Sequence, residues 1–250
     1  MPLRLRRTSI AITLFLSLEF VLFSGSSRAQ DPLKGWQWQN PLPQGNAINS
    51  IKFAGDKKHG WAVGSDGVII STNNGGFDWN PQASPENTTL YSIYLKDRNH
   101  LVIAGARGVI LTTKNGGGKW TARKTGIRDH LFAVTFAPDN PLHGWAVGTF
   151  GAIIATTDGG INWKPQTSNT TAHLFSVTFE NAKNGIAVGS RGTILVTENG
   201  GADWTEKKGV SSAVLTGVAF LSPKRAIVVA ARWSCGAGRA SSRDGSQGSA

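Results

Sequence analysis

Apolar residues recur along this chain in short runs that always appear in the same order. The first kind of run covers 48–53, 90–95, 131–136, 174–179 and 215–220, with apolar residues at its first, fourth and sixth places. That alternation, rich in β-branched and aromatic residues, predicts a half-buried strand. A second, more uniformly apolar run follows at 61–64, 102–105, 145–148 and 186–189, each ending in glycine. Two residues later another glycine opens a third apolar run, as at 67–70 and 192–196. Two residues between strands is hairpin length, and the bracketing glycines are expected to supply the positive φ that tight turns need.

A polar phrase of the form Thr-x-Asn/Asp-Gly-Gly-x-x-Trp then closes each unit, at 72–79, 113–120, 156–163 and 197–204. Asn74, Asn115, Asp158 and Asn199 are expected to bond nearby backbone N–H groups, and the paired glycines to take conformations closed to a residue with a Cβ. The tryptophan is expected to open a fourth strand and to cover the seam to the next unit. Trp79, Trp120, Trp163 and Trp204 step by 41, 43 and 41 residues, and Trp38 lies on the same grid. Four short strands per period, with no helical periodicity between them, predict an all-β fold: a β-propeller of four-stranded antiparallel blades. Complete blades are expected at about 47–79, 89–120, 131–163 and 173–204, with a partial fifth at 214–230. The set forms an open arc, with edges prone to association, and the strand around Trp38 is left without an inner partner.

The ends read differently. Arg4, Arg6 and Arg7 precede an apolar stretch from 10 to 23, and Ser27, Arg28 and Ala29 resemble a cleavage site, so residues 1–29 are expected to be a secretory signal. An uncleaved anchor is the alternative. After Ala230 the repeat breaks into a Gly/Ser/Arg-rich stretch, so 231–250 is expected to be a disordered tail, the mark of a truncated or frameshifted product. The formal charge of +11 shrinks once these ends are set aside. Residues 31–230 hold 19 Lys/Arg against 13 Asp/Glu, about +6, which permits an acidic partner without demanding nucleic acid. The lone Cys235 supports neither a disulfide framework nor thiol chemistry.

Candidate chemistry is sparse. His59, His100 and His143 share a turn slot that elsewhere holds Asn184 or Arg225, which marks a polar turn position rather than a ligand set. His130 and His173 share the slot just before the inner strand. They are either a candidate metal pair or a solvated, hydrogen-bonded pair, and no zinc-like spacing supports the former. Similar glycine-rich turns occur in sialidases, yet the inner strands carry almost no acids, with Asp97, Asp139 and Glu180 at their ends in turns, and neither Tyr91 nor Tyr94 has an obvious paired Glu. No catalytic residue, cofactor site or metal site is therefore assigned. The turns between second and third strands share a face with the connectors to the next blade. Arg107, Arg191, Arg123, Lys124 and Arg128 are thus the candidate partner-binding residues, since Arg suits planar carboxylates. The alternative is that they are solvated turn residues.

The units at 60–79 (GWAVGSDGVIISTNNGGFDW) and 144–163 (GWAVGTFGAIIATTDGGINW), with the opening WQWQNPLPQG at 36–45, resemble the photosystem II stability/assembly factor family. The resemblance covers about 34–230 and implies a seven-bladed propeller, exported to a periplasm or thylakoid lumen and working as a protein-binding scaffold without catalysis. It implies a protein partner, such as a membrane-protein assembly intermediate, with no nucleic acid and no stable membrane insertion after signal cleavage. The runner-up function is a sialidase-like carbohydrate-active or carbohydrate-binding propeller.

Overall fold

The computed structural model describes residues 45–207, 212–222 and 225–231; the expected signal, the Trp38 strand and residues 232–250 lie outside them. Four sheets of four antiparallel strands follow in order. They are β1 (Ile48–Phe53), β2 (Gly60–Gly64), β3 (Ile69–Thr72) and β4 (Asn80–Gln82); β5 (Leu90–Leu95), β6 (Leu101–Gly105), β7 (Ile110–Thr113) and β8 (Thr121–Arg123); β9 (Leu131–Phe136), β10 (Gly144–Gly148), β11 (Ile153–Thr156) and β12 (Lys164–Gln166); and β13 (Leu174–Phe179), β14 (Gly185–Gly189), β15 (Ile194–Thr197) and β16 (Thr205–Lys207). A two-stranded sheet, β17 (Val214–Ser222) and β18 (Arg225–Ala231), follows. Strands neighbouring in sequence are neighbours in every sheet. The first strands β1, β5, β9, β13 and β17 contact one another in series, while the fourth strands chiefly touch the strand beside them in their own sheet. The sheets therefore fan as propeller blades, packed at the inner strands and splayed outside, and among the described residues the arc stays open.

The core lies between blades rather than inside one. Trp61, Val63 and Ile69 of the first blade pack against Leu90, Ile93, Leu101, Ile103, Leu111 and Trp120 of the second. Val102, Ala104 and Ile110 point the other way, into Leu131, Val134, Phe136, Ala146, Ile154 and Trp163. Trp145, Val147 and Ile153 meet Leu174, Val177, Phe179, Ala187, Leu195 and Trp204 at the next seam. The second strands are apolar without alternation because successive side chains face opposite, equally buried seams. At the open edge the same logic leaves Ile48, Ile51 and Phe53 exposed, and Leu221, Ile227 and Val229 are exposed at the other.

Each closing phrase is organised by its threonine. Thr72 Oγ accepts the Gly76 N–H at 2.9 Å and donates to Asn74 Oδ1 at 2.9 Å, and that oxygen accepts the Asp78 N–H at 3.0 Å. Thr113, Thr156 and Thr197 repeat the arrangement. Gly75 and Gly76 hold φ of 80° and 94°, as the phrase requires. The fourth strand starts one residue after the tryptophan, not on it as the pattern predicted. Trp120, Trp163 and Trp204 are buried at the seams.

Candidate partner-binding face

Because every blade is a simple antiparallel meander, its hairpin between second and third strands emerges at the same end as the connector entering the next blade. Each hairpin is a two-residue turn of type I′ geometry. In the first blade Asp66 sits at φ 54°, ψ 32° and Gly67 at φ 74°, with the Val68 N–H donating to the Ser65 carbonyl at 3.1 Å. Arg107, Phe150 and Arg191 occupy the Asp66 position in later blades, at φ of 56°, 52° and 58°. Positive φ thus falls on a side-chain-bearing residue and the second glycine, not on both bracketing glycines. The first of these, Gly64, is extended. It is glycine because a Cβ there would run into the Ala47 carbonyl.

The turn tips are fastened to the following blade. The Arg107 N–H donates to His130 Nδ1 and the Phe150 N–H to His173 Nδ1, both at 3.2 Å. Sequence left these two histidines open between a metal pair and a hydrogen-bonded pair, and each has a ring nitrogen committed as an acceptor. No group of three or more metal-ligating side chains occurs among the described residues. Beside the histidines, each inner strand carries a β-bulge at its second residue. Leu90 pairs with Gly105 and Ser92 with Ala104, so Tyr91 has no opposite number; Phe132 and Phe175 stand in the same place. A bulge re-aims the side chain it frees. Tyr91 and Phe132 meet edge to face at 5.2 Å between ring centroids, and Phe132 and Phe175 lie tilted by 32° at 5.4 Å. His130 and His173 flank these rings, and Phe150 meets His173 edge-on at 5.0 Å. Sequence reading missed this row: the bulge breaks the period-two pattern by which a strand's outward residues are recognised. The signal present was the aromatic residue after Leu90, Leu131 and Leu174.

Of the five candidate cations, Arg107, Arg123 and Lys124 line one cleft of about 370 Å³, together with Glu86 from the preceding connector. Arg123 also donates from Nε to Thr112 Oγ1 at 2.8 Å. Arg128 is exposed on the same connector but does not line the cleft. Arg191 stands two blades on, donating to Thr171 Oγ1 at 3.4 Å. Several carboxylates serve turns at the opposite end. The backbone N–H of His59, with the His59 ring and the Lys58 N–H, holds Asp56 at about 2. Burial raises Asp158, but N–H donors from Asn162 and Ile161, the Asn162 amide and the Thr156 hydroxyl outweigh it and bring it to about 2. Carboxylates held that acidic stay ionised as turn fasteners at neutral pH, a state unsuited to general-acid work.

Comparison with known proteins sets this geometry in context. A family model described as photosynthesis system II assembly factor YCF48 matches residues 30–125 and 120–206. The photosystem II stability/assembly factor HCF136, chloroplastic, of Cyanidioschyzon merolae is 38% identical over 55 residues, 21% of this chain and 13% of that protein. A structure of YCF48 bound to D1 peptide superposes with a TM-score of 0.60 at 23% identity, over 76% of this chain and 62% of the other. An ancestral GH74 enzyme superposes with a TM-score of 0.61 at 14% identity, over 72% of this chain and 28% of the enzyme. At these identities the two structures share the fold. The chain spans less than two thirds of the length of the relatives it matches.

Proposed function

The chain belongs to the photosynthesis system II assembly factor YCF48 family, and from that premise we propose that it is a non-catalytic scaffold holding a segment of a protein partner against the turn-tip end of the arc. The observation that carries this reading is the cleft lined by Arg107 on the second blade's hairpin together with Arg123 and Lys124 at the end of that blade's fourth strand. A rigid blade array presenting cations from successive turns suits recognition of carboxylates on an extended chain. The relative solved with D1 peptide supports a peptide as the occupant. The same reading places the protein in an exported compartment, periplasm or thylakoid lumen, on the strength of Arg4, Arg6 and Arg7 ahead of the apolar stretch at 10–23. Among the described residues no helix is long and apolar enough to cross a membrane.

Fluorescence anisotropy with synthetic peptides tiled across the D1 protein tests the proposal. At least one acidic peptide is expected to bind, and Arg107→Glu to weaken it by roughly tenfold or more, the scale of one lost charge-assisted contact. Binding untouched by charge reversal at both Arg107 and Arg191, or hydrolysis of a glycoside by the purified protein, would overturn it.

A further inference from the structure

We propose that Tyr91, Phe132 and Phe175 form a docking ridge for one aromatic side chain carried on an acidic, extended peptide. This rests on the scaffold reading above and specifies the partner's chemistry. The three rings belong to successive blades and are brought into one row because each sits on the bulged residue of its inner strand. The bulge recurs in the first and fifth inner strands, where Asn49 and Thr216 occupy it, so what distinguishes these three blades is the aromatic residue placed there, beside the fully buried Leu90, Leu131 and Leu174. The bulged rings are only half-buried. Phe150 extends the row at its rim, 69% exposed and in the left-handed backbone region, where a bulky residue is disfavoured. Strain and exposure retained together at one aromatic tip are features that cluster at binding surfaces.

Charge selects the occupant. The Arg107 backbone N–H is bonded to His130, whose ring neighbours both Tyr91 and Phe132, so the hairpin that carries this arginine is fastened beside the ridge. Arg191 is based at the other end, on the hairpin whose Ser190 Oγ accepts the His173 N–H. An apolar row bracketed by two arginines matches a peptide whose central ring is flanked by carboxylates. A neutral glycan would engage the rings and leave the arginines unused. The row lies wholly within the second, third and fourth blades, so it is complete without ring closure.

The test is a cycle over protein and ligand. Two labelled peptides are titrated, one with a Phe between Glu pairs and one with Ser in its place, together with a neutral cello-oligosaccharide. Wild-type protein is expected to favour the Phe peptide by roughly tenfold, and Phe132→Ala to abolish that preference while leaving the Ser peptide's affinity unchanged. Phe150→Ser, at an exposed rim, should reduce the preference without lowering the thermal midpoint. Should Phe132→Ala fail to fold, Phe132→Leu carries the same comparison. Equal affinity for both peptides, or a preference that survives loss of the Phe132 ring, overturns the ridge. Phe132-dependent binding of the oligosaccharide in preference to either peptide overturns the peptide as occupant. If neither peptide shows a ring preference but D1 peptides still bind through Arg107, the scaffold reading stands and the ridge alone fails. No binding of any peptide removes both.

Discussion

The indole N–H of Trp120 donates to Gln82 Oε1 of the preceding blade at 3.0 Å, while the Gln82 amide donates to the Gly116 carbonyl at 3.0 Å. The same carbonyl also accepts the Trp61 indole N–H at 2.9 Å. The whole clasp recurs two blades later, with Trp204, Gln166, Gly200 and Trp145 in the same roles. The intervening seam is built differently. Val102 and Arg123 replace the tryptophan and glutamine, Trp163 donates to its own Gly160 carbonyl, and Lys96 reaches the Gly159 carbonyl at 2.7 Å, lying 4.2 Å from the Phe136 ring centroid. Burial there lowers the Lys96 pKa. The single-blade repeat therefore carries a two-blade alternation.

Removing the glutamine should expose what the clasp is worth. Gln166→Ala strands the Trp204 N–H at a buried seam and takes one donor from the Gly200 carbonyl. A loss of about 1–3 kcal/mol in denaturant unfolding is expected, the cost of a buried polar group left unpaired. Glu206→Ala, at an exposed site on the next blade's outer strand, should change stability by less than about 0.5 kcal/mol. Equal effects of the two substitutions would mean that the clasp contributes nothing.

The threonine of the closing phrase gives a sharper comparison. Thr156 is 2% exposed, and its hydroxyl serves the Gly160 N–H and Asp158 Oδ1 at once. Thr156→Val keeps the shape and removes both bonds, with an expected cost of about 1–3 kcal/mol, whereas Thr156→Ser keeps them and should lose less than half as much. Chemical denaturation of the two variants side by side measures the difference, and matching losses would refute the hub role.

Blade order, strand identity and the glycine turns were legible in the sequence because each repeats as a local pattern: period-two runs, paired glycines and a tryptophan at fixed spacing. Asn74 and its counterparts bond backbone N–H groups as their residue type predicts. What escaped was set by neighbours outside the local run. The role of Gln82 appears only when two blades are superposed, because its partners, Trp120 and Gly116, are more than thirty residues away. Tyr91, Phe132 and Phe175 were hidden by the extra residue each bulge inserts. The spacing that predicts one face for the five cations does not show that Arg107, Arg123 and Lys124 line a common cleft while Arg191 stands two blades on.

Acid should act on the closing turn through Asp158. Its folded pKa of about 2 lies below the ordinary aspartate value of 3.8. A depressed carboxylate stabilises the fold fully above the unfolded pKa, and that contribution is lost as pH falls from near 3.8 toward about 2. Asp158→Asn places there the residue found at 74, 115 and 199, so the turn should persist and the acid loss become shallower. Asp56, also held at about 2, retains part of that loss in the variant. Thermal midpoints measured between neutral pH and about pH 2 decide this, and parallel curves for wild type and variant would exclude the assigned linkage.

The turn tips offer a case in which stability and binding should move in opposite directions. Phe150 holds φ 52° at the first central position of a type I′ turn, where Asn, Asp and Gly fit and bulky residues are strained. Its ring is 69% exposed, so little burial offsets that strain. Phe150→Asn keeps the N–H that His173 accepts and relieves the backbone, and it should raise stability by about 0.5–1 kcal/mol. Arg191→Asn should do the same, since Arg191 holds φ 58° with only a long contact from its guanidinium to Thr171. If both substitutions raise the unfolding midpoint while weakening capture of an acidic aromatic peptide, the tips are retained for what they contact rather than for how they fold. A fall in midpoint for both would show that these side chains support the hairpins themselves, leaving the turn geometry without a functional explanation.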